Sequence, residues 1–270
     1  MIDCGEGCQI RLNQYKVKKS KIDEIFISHF HGDHFFGLPG LITSFNLSSR
    51  TKSLRIYGPI GLKKFIGTLE EIGSFYLNFP LEIHELNPDI SELIHKDENV
   101  EVSTLPLKHR IPTTGFLFRE KEKPRKIDST AIEKFKLSIP EIKQAKEGGD
   151  VLRHGDQRIP NVDITLTPKP RRAYAYCSDT IYDEELVDLI SGTDLLYHEA
   201  TYLHDMQDQA RARGHATARE AAIIAKKSHA KRLLLGHFSS RYKDVSVFLN
   251  EALEVFPNCD LAQDGKTFKI

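Results

Sequence analysis

Short apolar runs alternate with segments of helical period along most of this chain. Glu24-Ile25-Phe26-Ile27-Ser28 reads as a buried strand, and the apolar positions over 38–47 recur at helical spacing. Leu54 to Tyr57 predicts a second strand, closed by Gly58-Pro59 and followed by a helical pattern over 60–76. Strands are predicted again at Leu81 to Leu86 and Val100 to Leu107. Further on, Ala173 to Cys177, Leu195 to Tyr197 and Arg232 to Gly236 read as strands. Between them lie helical patterns from Asp183 to Ile190 and from Thr217 to about His229. Thr217-Ala218-Arg219-Glu220 has the form of a capping box, in which Thr217 and Glu220 satisfy free amides at a helix start. The alternation predicts an α/β fold. His29, Asp179, His198 and His237 each fall just past the end of a predicted strand, where open α/β sheets gather functional side chains.

Residues 119–170 break the alternation. They are rich in lysine, glutamate, proline and glycine, with only a short helix-like stretch near 129–137. A segment this long without a core pattern is usually functional or mobile. The expected organisation is one domain over 1–270 with an arm inserted at about 119–170.

Composition narrows the class. The chain has 270 residues, 40% hydrophobic and 28% charged, which suits one globular domain with a sizeable core. No apolar run approaches the roughly 20 residues of a membrane span, and Met1-Ile2-Asp3-Cys4 has no basic-then-apolar leader. The four cysteines mark no disulfide framework, so a reducing, cytoplasmic setting is expected. Cys4 and Cys8 resemble half a zinc site, but no second pair follows at suitable spacing. A net charge of zero excludes a uniformly basic nucleic-acid binder. Local basic stretches remain, at Arg119 to Lys126 and at Lys169, Arg171 and Arg172; each taken alone reads as solvated surface.

The densest chemistry lies in His29-Phe30-His31-Gly32-Asp33-His34. Imidazole and carboxylate are the ligands that hold Zn²⁺ and similar ions. Four of them in six residues exceed what one small ion takes from a short loop. The spacing suits two adjacent ions, with His29 and His31 facing one, and Asp33 and His34 the other. Gly32 is expected to let the backbone turn tightly between the pairs.

His-x-His-x-Asp-His after a strand resembles the metallo-β-lactamase superfamily. Within it, the chain is similar to the ribonuclease Z family of tRNA 3′-processing endonucleases. The closer likeness rests on Asp3-Cys4-Gly5-Glu6-Gly7, on Gly37-Leu38-Pro39-Gly40-Leu41 after the histidine motif, and on Ser178-Asp179-Thr180. It rests further on His198-Glu199-Ala200-Thr201, Gly214-His215-Ala216-Thr217 and His237-Phe238-Ser239-Ser240-Arg241-Tyr242. The resemblance implies an αββα sandwich. Family members carry some tens of residues ahead of the Asp-Cys-Gly-Glu-Gly segment, so the sandwich is expected to lack its first N-terminal strands. It also implies that 119–170 is an arm gripping tRNA. The Gly-Pro motif of many bacterial arms is missing, and Ser138-Ile139-Pro140-Glu141-Ile142 stands in the segment instead.

The site residues follow from the same resemblance. His109, which alone reads as a polar surface residue, would complete the first ion's set with His29 and His31. Asp179, otherwise a plausible helix cap, would bridge both ions. His237 would complete the second set with Asp33 and His34. Two Zn²⁺ ions about 3.5–4 Å apart lower the pKa of a shared water and clamp both oxygens of an in-line phosphoryl displacement. The expected chemistry is attack of that hydroxide on a phosphodiester, with Asp33 as ligand and proton acceptor. Glu199 and His215 are the candidates for protonating the leaving oxygen, the carboxylate orienting the imidazole. His198 is expected to support a ligand, while His84, His95, His154, His204 and His229 show no ligand spacing. Ser239, Ser240 and Arg241 either grip phosphate or form a polar turn.

The implied activity is a zinc-dependent endoribonuclease that removes 3′ trailers from precursor tRNA, working as a homodimer away from membranes. Two rivals stand beside it. One is a phosphodiesterase of the same fold acting on small diesters. The other is an inactive, N-terminally truncated RNA-binding remnant. The long basic arm favours a large RNA substrate, and the complete ligand set argues against a degenerate site.

Overall fold

The computed structural model describes residues 1–74, 76–153 and 157–270. It divides into two compact units. The first contains Met1–His95, Val102–Phe118 and Ala173–Ile270; the second contains Lys96–Glu101 and Arg119–Arg172.

The strands in chain order are β1 Glu24–Phe26, β2 Leu54–Pro59, β3 Leu81–Leu86, β4 Leu93–Lys96, β5 Val100–Leu107, β6 Thr113–Glu120 and β7 Lys126–Ile127. They continue as β8 Val151–Arg153, β9 Gln157–Ile159, β10 Thr165–Leu166, β11 Ala173–Cys177, β12 Leu195–Glu199, β13 Leu233–Gly236 and β14 Cys259–Leu261. One sheet has the order β1-β2-β3, with both pairings parallel. The other has the order β14-β13-β12-β11-β6-β5-β4, and β11 to β14 run parallel.

Alternation along the strands builds the layers of the first unit. Ile25 and Ile56 pack with Leu38, Leu41 and Leu62 of helices Leu38–Leu47 and Leu62–Gly73. Their neighbours Phe26 and Tyr57 turn the other way and pack with Val102 and Phe116 from the seven-stranded sheet. The Phe26 and Tyr57 rings stack at 5.0 Å, and Phe26 meets Phe116 at 5.4 Å. On the far side of that sheet, Ala175, Cys177 and Leu235 pack with Ala221, Ile224 and Phe248 of helices Ala218–Lys227 and Ser246–Leu253. Helix, sheet, sheet, helix is the αββα sandwich the sequence predicts.

The second unit has a core of its own: Ala131, Leu137, Ala145, Val151, Ile159 and Ile164 are all buried. Asp128 caps helix Ser129–Phe135 by accepting from the Thr130 amide at 2.9 Å. Ser138 and Glu141 form a capping box on helix Ile139–Lys146. The Ser-Ile-Pro-Glu-Ile segment is thus a helix start, with Pro140 in the first turn, where a missing N–H costs nothing. The expectation of a segment without core pattern misses this because the buried positions are spread over elements of seven, eight, three and three residues.

Among the described residues no helix is long and apolar enough to cross a membrane.

Candidate metal centre

The histidine motif leaves β1 and turns into the four-residue helix Gly32–Phe35. Gly32 has no left-handed φ, contrary to the expectation of a tight turn. Its constraint is space, since a Cβ there would lie 2.5 Å from the Phe36 ring. Gly5 has the same kind of reason: its Cβ would come within 1.9 Å of the Asp33 carbonyl oxygen. The Asp3–Gly7 loop therefore lies directly on the motif. Opposite it, the parallel strands β11, β12 and β13 end side by side, with Glu199 in register with Gly236. Those ends deliver Asp179, Glu199 and His237 to one place.

Among the described residues three overlapping donor groups form there; the third, Asp179, His215 and His237, takes one residue from each of the other two. His29, His31, His109 and Asp179 bring one ligand atom each within 4.8 Å of one another. Asp33, His34 and His237 form the second set under the same limit. Within the first, His31 Nδ1 lies 3.0 Å from His29 Nε2 and 3.3 Å from His109 Nε2. Asp179 Oδ2 stands 3.6 Å from His29 Nε2 and 3.7 Å from His109 Nε2. Its other oxygen, Oδ1, is 3.4 Å from His34 Nε2 and 3.3 Å from His237 Nε2. Asp33 Oδ2 lies 3.5 Å from His34 Nε2 and 3.6 Å from His237 Nε2. Asp179 thus offers one oxygen to each set, as a bridging carboxylate must.

The outward ring nitrogens are held by the protein. His109 Nδ1–H donates to the Gly214 carbonyl at 2.6 Å, and Ser28 Oγ sits 2.9 Å from His29 Nδ1. His237 Nδ1 meets Thr201 Oγ1 at 2.8 Å. His34 Nδ1 meets Asp3 Oδ2 at 2.8 Å. Asp3 also accepts from the Ser28 amide at 2.7 Å, the Ser28 hydroxyl at 2.9 Å and the Tyr176 hydroxyl at 3.0 Å. Such partners fix ring orientation and leave the other nitrogen for an ion. His34 Nε2 is buried with no hydrogen-bond partner. A buried polar atom left in this way is rare and calls for an unseen partner. The donor set fits a divalent metal, and that orphaned nitrogen is where the fit is most specific.

The electrostatics differ between the two sets. Burial, with the neighbouring charge of His34, pushes the His29 imidazole down to about 3, so its ring is neutral, as a metal ligand must be. Burial opposes charge on His34, but the hydrogen bond to Asp3 and the nearby Asp33 carboxylate outweigh it and lift that ring to about 10, so it holds a proton that a bound ion would displace. His237 and His34 hold the Asp33 carboxyl well below the usual range. Burial raises Asp179, yet the surrounding imidazoles, His237 first, keep it below its ordinary value. Carboxylates and imidazoles here stabilise each other's charge.

Beside the two sets stands a pair. Glu199 is fully buried and His215 Nδ1 lies 2.8 Å from its Oε1. The carboxylate also accepts from the amides of Thr180 and Thr201, both at 3.0 Å, and from the Thr201 hydroxyl at 2.7 Å. These four contacts hold the carboxylate in place and make it an orienting group. His215 Nδ1 is 4.0 Å from Asp179 Oδ2, so the pair borders the Asp179 carboxylate.

All nine sequence-predicted side chains therefore converge. Asp3, Ser28, Thr201 and Tyr176 escape the sequence reading, although Asp3 and Thr201 lie in motifs that were singled out. His198 is not brought to the cluster. It lies inside β12, and strand alternation turns it away from Glu199; its Nδ1 bonds the Glu199 carbonyl at 2.7 Å. His95 is buried, with Nδ1 3.1 Å from the Tyr57 hydroxyl, and His84 stacks on the same ring. His204 and His229 join neither set, and His154 lies outside the described residues. Ser239 and Arg241 form a polar turn, Arg241 Nε donating to Ser239 Oγ at 3.1 Å while its guanidinium lies 4.8 Å over the Tyr202 ring.

Comparison with known proteins bears on this centre. Residues 1–122 match the family model described as anti-Pycsar protein Apyc1. The chain is 44% identical over 270 residues to ribonuclease Z of Bacteroides thetaiotaomicron, covering all of this chain and 85% of that protein. It is 43% identical over 256 residues to ribonuclease Z of Porphyromonas gingivalis strain W83, covering 95% and 84%. Among solved structures, the short form of human tRNase Z superposes with a TM-score of 0.70 at 30% identity, covering 100% of this chain and 87% of that one. With near-complete coverage at such identity, and the donor sets in place, the chain belongs to the ribonuclease Z family.

Proposed function

We propose that the seven side chains of the two donor sets hold two Zn²⁺ ions, and that His215 and Glu199 act beside them in cleaving precursor tRNA. The enzyme is a hydrolytic endoribonuclease that matures the 3′ end of tRNA. The observation that carries the metal reading is Asp179, with one oxygen within 3.7 Å of the first set's His29 and His109 and the other within 3.4 Å of the second set's His34 and His237. Bound divalent ions would acidify a water and neutralise charge on the scissile phosphate.

The chain's own residues supply the rest. Asp33 stays ionised and is the acceptor available to a water proton at the second set. Glu199 holds the Nδ1–H of His215, which fixes the tautomer and leaves Nε2 as the nitrogen that carries the mobile proton to the leaving oxygen. Thr201 ties this pair to the second set, because its hydroxyl oxygen contacts both Glu199 Oε2 and His237 Nδ1. His237 adopts a left-handed φ of 59°, a costly backbone for a non-glycine residue, and Thr201 Oγ1 also reaches its carbonyl at 3.0 Å.

The second unit, folded around its own core and carrying the Arg119 to Lys126 stretch, is the proposed contact for the tRNA body. A homodimer and a cytoplasmic setting are proposed as well; the four free cysteines suit a reducing compartment. Incubation with a 3′-extended tRNA precursor, with the product end mapped, tests the activity, and elemental analysis of the dialysed protein tests the metal. A folded, metal-loaded protein that leaves the precursor intact overturns the endoribonuclease reading. A reproducible metal content near zero overturns the two-ion reading. Light scattering after gel filtration tests the dimer, and a single monomeric mass overturns it.

A further inference from the structure

Arg110 lies next to the centre and has no role in the account above. It follows His109, whose ring belongs to the first donor set. Its side chain is exposed, and among the described residues it makes no hydrogen bond and no ion pair. It shares this with Arg171, Arg211 and Arg213 and differs from the arginines that the fold pairs with carboxylates. Arg153 bonds Glu141 at 2.7 Å, Arg232 bonds Asp260 at 2.7 Å and Arg219 reaches Glu254 at 3.4 Å. Lys108, two residues away, is tied to Asp183 at 3.0 Å and Glu185 at 2.7 Å.

The stem of Arg110 is nevertheless confined. Gly214, with φ 78°, lays the His215 loop over residues 109 and 110. A Cβ at Gly214 would stand 2.7 Å from His109 Nδ1, 3.1 Å from Arg110 Cγ and 3.2 Å from the Arg110 amide nitrogen. Glycine there serves two ends at once: it allows the left-handed backbone and gives the arginine stem room against the loop. The arginine stem is thereby held against the His215 loop, next in the chain to His109 of the first donor set. A planar, permanently charged fork without a carboxylate, held at the rim of a phosphodiesterase centre, matches a phosphate oxygen.

We propose that Arg110 binds a non-bridging phosphate oxygen of the RNA strand at a linkage next to the scissile bond. The inference rests on the endoribonuclease reading above. It makes Arg110 a substrate-positioning residue, distinct from the arm contact with the tRNA body and from the groups that move protons.

The test measures kcat/KM on a 3′-extended tRNA precursor for the metal-loaded wild type, Arg110→Ala and Arg110→Lys. Metal content is determined for each. A second substrate series carries single 2′-O-methyl methylphosphonate linkages on either side of the cleaved bond, with 2′-O-methyl phosphates as controls. Arg110→Ala is expected to lose about 10- to 100-fold in kcat/KM, the usual size of a charge-assisted contact, with full metal content; Arg110→Lys recovers part of the loss. At one linkage the methylphosphonate lowers the wild-type rate by a similar factor and does not lower Arg110→Ala further. Should Arg110→Ala unfold, Arg110→Gln carries the same comparison. A variant within twofold of wild type, a loss accompanied by release of metal, or fully multiplicative losses with every methylphosphonate each overturn the inference. A wild type inactive on the unmodified precursor overturns the endoribonuclease reading itself, and the inference with it.

Discussion

Asp3→Asn should weaken metal binding at the second donor set and spare the first. Asp3 lies outside both sets; it contacts His34 directly, at 2.8 Å from Nδ1, and reaches His29 only through the Ser28 hydroxyl. Its Oδ2 takes three donor contacts, from His34, the Ser28 hydroxyl and the Tyr176 hydroxyl. Its Oδ1 takes the Ser28 amide. An asparagine keeps only one acceptor oxygen. If that oxygen stays with the Ser28 amide, an NH₂ group faces three donors; if the amide flips, it faces the Ser28 N–H. Either way the imidazole loses its anionic partner and with it ring orientation and basicity. Loss of such a supporting group typically costs 10- to 100-fold in metal affinity, or about 1.4–2.8 kcal/mol at 1.4 kcal/mol per decade. Titration of the zinc-loaded protein with a chromogenic chelator resolves this. One ion should leave at roughly 10- to 100-fold lower chelator strength than in the wild type, while the ion held by His29, His31 and His109 is retained. Equal affinity for both ions in the variant would mean that Asp3 only braces the loop against β1. Simultaneous loss of both ions would mean that the sets are not separable.

Other perturbations address the remaining parts of the centre. His31→Ala should remove the first ion and nearly all turnover, since His31 Nδ1 lies within 3.3 Å of both partner imidazoles, whereas exposed His229→Ala should change neither; similar metal contents in the two variants would break the assignment. His215→Ala should slow cleavage by about 10²- to 10⁴-fold at unchanged metal content. Glu199→Gln should share that defect, with the double variant little worse than either, because groups acting as a unit are non-additive; a multiplicative loss would separate them. Thr217→Ala should cost about 1 kcal/mol through the capping box of helix Ala218–Lys227, read as a fall in Tm of about 2–4 °C; an unchanged Tm would mean the cap is redundant. Excising the second unit should reduce precursor tRNA cleavage much more than hydrolysis of a small chromogenic diester, because remote binding energy acts only on the large substrate; equal losses would make the unit structural.

The elements most legible in the sequence are those whose burial has one simple period. Ala173–Cys177 is buried at every second residue, and Leu233–Gly236 is buried throughout; both read directly as strands. The helical pattern over 60–76 is realised as Leu62–Gly73, ended by Ser74 in the left-handed region at φ 47°. Thr113–Glu120 is a central strand that the pattern hides. It opens with Thr-Thr-Gly, and its first five residues are all buried, so neither alternation nor an apolar run marks it. Leu93–Lys96 and Cys259–Leu261 are too short to show any period.

The candidate ligands are legible for a different reason: their chemistry is concentrated at strand ends. Six residues of one loop supply four donors, and parallel strands bring the others to the same edge. What the sequence hides is orientation. Whether Asp3 faces His34 is decided by how the Asp3–Gly7 loop lies on the motif, and that depends on a missing Cβ at Gly5. Whether Thr201 reaches His237 is decided by the crossover between the parallel strands β12 and β13, over residues that are 36 apart in sequence. Whether Arg110 stays unpaired depends on which carboxylates the fold brings near it, and the sequence offers Asp183 and Glu185 to its neighbour Lys108 instead. The four candidate donors of the loop are thus a local property of the chain, whereas the convergence of His109, Asp179 and His237 on them, and the control of each ring's other nitrogen, are properties of packing. Substitutions at the donors should therefore report metal loss, and substitutions at their partners should report graded affinity.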